Sequence, residues 1–137
     1  MTKTFFYYQS LPDSMPVEDV AKELHELLME KSLSGKSKHD FLVALLELSD
    51  RQWHTYEPLC EPLKTQIEKV LISEWDGFDF EFAEGSIVVA ANLGLVGLFD
   101  FISSQNISEL SSEVAIEIKE AITELGDNIA DPYSGMK

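Results

Sequence analysis

A chain of 137 residues, 45% apolar and 26% charged, has room for one compact domain spanning 1–137 and carries too much apolar content to stay disordered. Its formal net charge of −15 disfavours direct contact with nucleic acid or anionic lipid and favours encounter with basic proteins. No apolar run reaches the ~18 residues of a membrane span, no signal-peptide pattern opens the chain, and the one cysteine, Cys60, cannot form an internal disulfide, so the expectation is a cytoplasmic protein.

The acids are unevenly spread. Residues 1–69 hold twelve acids and eight bases, whereas residues 70–137 hold thirteen acids with only Lys119 and Lys137 as bases. The charge is therefore a property of the second half of the chain.

Residues 1–16 read as an N-terminal arm and turn: Thr4–Gln9 is aromatic enough for a short strand or an extended arm, and Pro12 and Pro16 mark the turn. From Val17 the apolar positions Val20, Ala21, Leu24, Leu27 and Leu28 recur at helical spacing, with Pro16 suited to the first turn and Ser34-Gly35 to the stop. A second helix, from Lys38 to about Leu48, is apolar nearly all round and is therefore expected to pack on two sides. Trp53, Tyr56 and Leu59 follow, interrupted by Pro58 and Pro62. Pro62 opens a third helix with Leu63, Ile67, Val70, Leu71 and Trp75 on one stripe.

The stretch 78–91 supports two readings. Phe78, Phe80 and Phe82 alternate with acids and Gly85 precedes Ile87-Val88-Val89, which is a hairpin signal. A helix instead aligns Phe80, Ala83, Ile87 and Ala91, and must absorb Gly85 at ~1 kcal/mol. Leu95–Ser103 predicts a short helix. The last helix is the cleanest: Leu110, Val114, Ile118, Ala121, Ile122, Leu125 and Ile129 form its stripe, Asn106 or Ser108 its cap with Glu109 in capping-box position, and Pro132 its end.

The polar positions of that last helix carry the most information. Glu109, Glu113, Glu117, Glu120, Glu124, Asp127 and Asp131 recur every three or four residues, a spacing that predicts a continuous ridge of carboxylates opposite the apolar stripe. Lys119 has no acid at i±3 or i±4. Solvated helix faces are often charged, but they usually mix signs because opposite charges at that spacing stabilise the helix. Like charges along the ridge cost the unliganded helix ~1–2 kcal/mol in total, which favours a face kept for a positive partner over plain solvation.

Catalytic signals are absent by contrast. His25, His39 and His54 share no metal-ligand spacing with one another or with Cys60, so no metal or cofactor is expected. Cys60 with His54 is the sole nucleophile–base pairing on offer, and nothing beside it suggests an electropositive setting. Asp76-Gly77-Phe78-Asp79 lacks the regular oxygen ligands of a calcium loop, and Gly94 and Gly97 lack the residues of a phosphate loop. The expectation is a non-enzyme.

Two candidate helix pairs, Leu63–Trp75 with Asp79–Leu93 and Val96–Ser103 with Ser108–Ile129, together with Glu117–Gly126 and the closing Asp131-Pro132-Tyr133-Ser134-Gly135-Met136, resemble HEAT-type helical immunity proteins of bacterial toxin–immunity systems, including contact-dependent growth inhibition. The resemblance covers roughly residues 62–136. It implies an all-α fold of HEAT-like antiparallel helix pairs, and so a helical reading of 78–91. It also implies that the chain, alone or in a 1:1 complex, binds and occludes a basic toxin, commonly a nuclease. The expected contact residues are Glu113, Glu117, Glu120, Glu124, Asp127 and Asp131, with Tyr133 as an exposed aromatic anchor. Two rivals use different physics: a helical adaptor held through apolar surfaces, and an acidic nucleic-acid mimic that inhibits a DNA-binding protein.

Overall fold

A computed structural model describes residues 5–12, 14–34, 37–55, 59 and 62–125. Within them the chain forms seven helices: α1 (Phe5–Gln9), α2 (Val17–Ser34), α3 (Lys38–Trp53), α4 (Leu63–Ser73), α5 (Phe80–Leu93), α6 (Val96–Ser103) and α7 (Ser112–Leu125), with a 3-10 turn over Ile107–Glu109. No strand occurs among the described residues, so the fold is all-α as expected.

Every principal contact joins helices one or two places apart in the chain. One layer runs α1, α3, α5, α7, each packed on the next; the second runs α2, α4, α6; contacts of α2 with α3, and of α6 with α5 and α7, close the space between them. Stacked helical pairs have this neighbour pattern, because each unit buries its apolar face only against adjacent units.

The centre of the stack is the crossing of α3 and α5. Phe41, Leu42, Leu45 and Leu48 of α3 are buried, as are Phe82, Ala83, Val89, Ala90 and Leu93 of α5. Gly85 marks the closest approach: a Cβ there would lie 2.6 Å from Leu42 Cδ2. The glycine that weakens the helix by propensity is thus what lets α3 approach. Along the same interface Asn92 donates to Ser49 Oγ at 3.3 Å. Gly94 ends α5 in the left-handed region (φ 69°), which a Cβ disfavours.

Three sequence expectations are corrected. The first concerns the N-terminal strand: Phe5–Gln9 is a helix, because an all-helical neighbourhood offers no ladder partner and α3 instead accepts Tyr8, which is 1% exposed. Arg51, itself buried, secures this short helix by donating to the carbonyls of Gln9 (3.4 Å) and Leu11 (2.8 Å) while paired with Glu47.

Second, of the two readings open for 78–91 the hairpin is overturned and the helical one holds, as α5. Its buried positions Phe82, Ala83, Ser86, Val89, Ala90 and Leu93 follow helical periodicity. The aromatic alternation misleads because Phe78 stands outside the helix, 69% exposed, whereas Phe82 is at 0%. Asp79 caps α5 by accepting from the Phe82 N–H at 3.1 Å.

Third, the last helix starts later than its capping-box signal. Asn106 opens only the 3-10 turn, its carbonyl accepting from Glu109 N–H at 2.9 Å. The true cap of α7 is Ser111, whose Oγ accepts from Val114 N–H at 3.2 Å, while its own N–H donates to the Gly77 carbonyl at 3.0 Å. Gly77 admits this contact: a Cβ would lie 2.8 Å from the Glu109 carbonyl oxygen. The chain is thereby pinned between Glu109 and Ser112, and Glu109 falls outside the helix. The expected continuation to Ile129 and the Pro132 stop lie outside the described residues.

Candidate partner-binding face

Most acids in the first five helices and their connections have a structural task. Asp79 is held by two groups besides its cap: Nε2 of His39 at 2.9 Å, and Nζ of Lys38 at 3.4 Å, which also lies 3.8 Å from Asp76. Lys38 sits in turn over the Phe82 ring, 5.2 Å from its centroid. Burial pushes the Asp79 carboxyl upward, but the Phe82 N–H, Lys38 and His39 outweigh it, so the group is held below its ordinary value of 3.8. Glu74 pairs with Lys31 at 2.7 Å, Glu47 pairs with Arg51, and Glu23 accepts from the Tyr7 hydroxyl. Glu68 accepts from the Leu98 N–H at 2.8 Å, so a carboxylate of α4 caps α6, whose own Leu95 supplies no side-chain cap.

The acids of α7 have no such tasks. Glu113, Glu120 and Glu124 are exposed, Glu117 is half-buried, and none of the four has an ion-pair or hydrogen-bond partner among the described residues. Between Phe80 and Leu125 the sequence holds eight carboxylates and a single base, Lys119. A shallow cavity of about 230 Å³ is lined by Lys119, Glu120, Thr123 and Glu124.

The ridge is not placed as the spacing predicts. At 3.6 residues per turn, the side of α7 directly opposite the buried Val114, Ile118 and Ala121 carries Ile116 (58% exposed), Lys119 and Thr123. The four glutamates line a flank instead, the one that adjoins α5. There Glu84, exposed on α5, extends the acidic strip to a second helix. Burial and then the carboxylates of Glu84, Glu120 and Glu124 push the Glu117 carboxyl above its ordinary value of 4.5. The flank is thus a two-helix surface on which like charges already strain against one another.

Of the expected contact residues, Glu113, Glu117, Glu120 and Glu124 share this flank, while Asp127, Asp131 and Tyr133 lie outside the described residues. Glu84 is absent from the sequence-based set, because only a helical 80–93 packed against α7 brings it there. The other aromatic candidates divide: Trp75 is half-buried, edge-on to Phe101 with centroids 6.1 Å apart, and Trp53 is half-buried beside His54 at 5.3 Å. Tyr56 and Cys60 lie outside the described residues, so the Cys60–His54 pairing has no geometry to weigh. No grouping of His, Cys, Asp or Glu suited to a metal ion occurs among the described residues, nor does any helix long and apolar enough to cross a membrane. Compared with known protein families, curated proteins and solved structures, the chain matches none.

Proposed function

We propose that this protein is an immunity-type inhibitor that binds a basic protein toxin through the α5–α7 flank and blocks its working surface. The observation that carries the reading is the run of unpaired carboxylates, Glu84, Glu113, Glu117, Glu120 and Glu124, on two adjacent helices in a chain whose other acids are largely engaged. Such a strip steers association with a positive surface, and close charge pairs formed on docking can contribute several kcal/mol. A cation brought there also offsets the burial and the mutual repulsion that together raise Glu117. The layered neighbour packing of the helices supports the helical-repeat resemblance from which the toxin–immunity reading comes. A nuclease is the finer form of the proposal, since a cleft built for phosphate presents the cations such a strip requires.

The test is titration against the toxin domain encoded in the neighbouring reading frame, comparing the wild type with E113K/E117K/E120K at two salt concentrations. The expected result is a loss of at least 100-fold in affinity for the variant, and a wild-type affinity that falls as salt rises. Equal affinity and equal salt response in both proteins would overturn the reading.

A further inference from the structure

The opposite layer carries a surface of different character. Between α2 and α4 runs an open groove of about 310 Å³, floored by Leu28, Met29 and Val70. Its polar lining is His25 and Ser32 from α2 with Gln66 and Lys69 from α4. In a chain of 25 acids, no carboxylate among the described residues lines it. Glu68, beside Lys69 on α4, is turned to the start of α6, and Glu74, just past the end of α4, to Lys31. The side chains of His25, Ser32, Gln66 and Lys69 have no hydrogen-bond or ion-pair partner among the described residues. Met29, 47% exposed, and Leu33, 80% exposed, carry the apolar track along α2.

We infer that this groove is a docking site for an amphipathic helix of a partner protein, one that places apolar side chains on Leu28, Met29 and Val70 and carboxylates against Lys69 and His25. Charge complementarity sets the sign. Lys69 is a cation, and His25 offers an N–H donor in either protonation state, so a carboxylate is the matching group. The secondary structure follows from shape. A groove between two helices receives the ridge of a third, and strand addition is not open to a partner here because the described residues offer no sheet edge. From His25 to Leu33 the track is ~12 Å long, about two helical turns of contact. Methionine at the centre suits such a site, because its flexible thioether adapts to the side chain it meets. A second copy of this chain is the poorer occupant, since each copy brings the full charge of −15 to the encounter.

This site is independent of the α5–α7 flank, and its test separates the two. A display library of 16-residue peptides is selected on the intact protein at 0.15 M salt and counter-selected on the double variant M29E/K69E, both substitutions being at exposed positions. Among clones lost on the variant, the expected sequences pair Asp or Glu with Leu, Phe or Met at three- and four-residue spacing. Their synthetic peptides should bind at least tenfold more weakly to K69E than to wild type. They should also shift the amide resonances of residues 25–33 and 64–70 while leaving α7 unchanged. Basic peptides that perturb only α7 report the other face and fail this test. Absence of variant-sensitive clones, clones of basic composition only, or a concentration-dependent dimer abolished by M29E/K69E would each overturn the inference.

Discussion

Gly85 and Leu42 form a pair whose energetics run against helix propensity. Replacing Gly85 by Ala gains ~1 kcal/mol of intrinsic helix preference, yet the new methyl meets Leu42 Cδ2 at 2.6 Å in a filled core. The expected net effect is a loss of ~1–2 kcal/mol. Leu42→Ala alone should cost ~2–4 kcal/mol through the cavity it leaves. Together the two changes should cost at least ~1 kcal/mol less than their sum, because each relieves the other; urea unfolding of the four proteins measures this coupling. At the same scale two carboxyls titrate in opposite senses. Asp79 is held below 3.8, so its contribution is present above that value and disappears as pH falls through its lowered folded value. Asp79→Asn should therefore cost about 1 kcal/mol at neutral pH and converge with wild type in acid. Glu117 lies above 4.5, so the folded state retains its proton longer than the unfolded chain, and stability falls as pH rises from 4.5 through the raised value. Glu117→Gln should be the more stable protein by a few tenths of a kcal/mol at neutral pH, with no difference below 4.5; paired unfolding curves across pH check both signs.

At the scale of helices, α1 depends on one side chain. Five residues are too few to hold a helix in water, so α1 persists because Tyr8 is buried and Arg51 satisfies the carbonyls of Gln9 and Leu11. Arg51→Met should remove ~3 kcal/mol and leave Glu47 without its cation. Amide exchange of residues 6–10 should lose protection before the rest of the protein does, and equal protection in the variant would refute this account. Arg51 also shows where sequence reading stops. As one base among the ten of the chain it has no distinguishing spacing, and its importance comes from partners 40 and 42 residues away. Helices with a continuous apolar period, α2 and α4, are legible because burial on fixed faces is written directly in that period, and α3 is legible as far as Leu48, short of its end at Trp53. The start of α7 is not legible, and the residues of 78–91 alone do not decide between helix and hairpin, because Gly77 and Gly85 act through close approach of distant backbone and side chains, and such contacts leave no local pattern. The same limit applies to the acidic flank. Its four glutamates can be read from their spacing, whereas Glu84 needs the packing of α5 on α7 and the direction of the ridge needs the buried face of α7.

Over the whole molecule, the charge of −15 opposes compaction. Raising sodium chloride from 0.02 to 0.5 M should screen this repulsion and increase Tm by several degrees, and E117Q should reduce the increment only slightly because the term is collective. A Tm independent of salt would mean that the carboxylates are neutralised within the protein, which would also remove the basis of the flank. The surfaces differ by place: Glu84 and the four glutamates of α7 set unpaired carboxylates side by side on one flank, and a groove lined by no carboxylate among the described residues lies between α2 and α4. A negative net charge alone would not distinguish these faces.

The carboxylate that Glu68 extends to the Leu98 amide gives the stack an order of assembly. With eight residues and no cap of its own, α6 is too short to persist before α4 is in place. Completion therefore propagates from α4 to α6, whereas α7 has α5 to pack on as well. A nascent or partly opened chain that has lost α4 forfeits α6 with it, so hydrogen exchange should find α6 released together with α4 in a single cooperative event rather than fraying turn by turn.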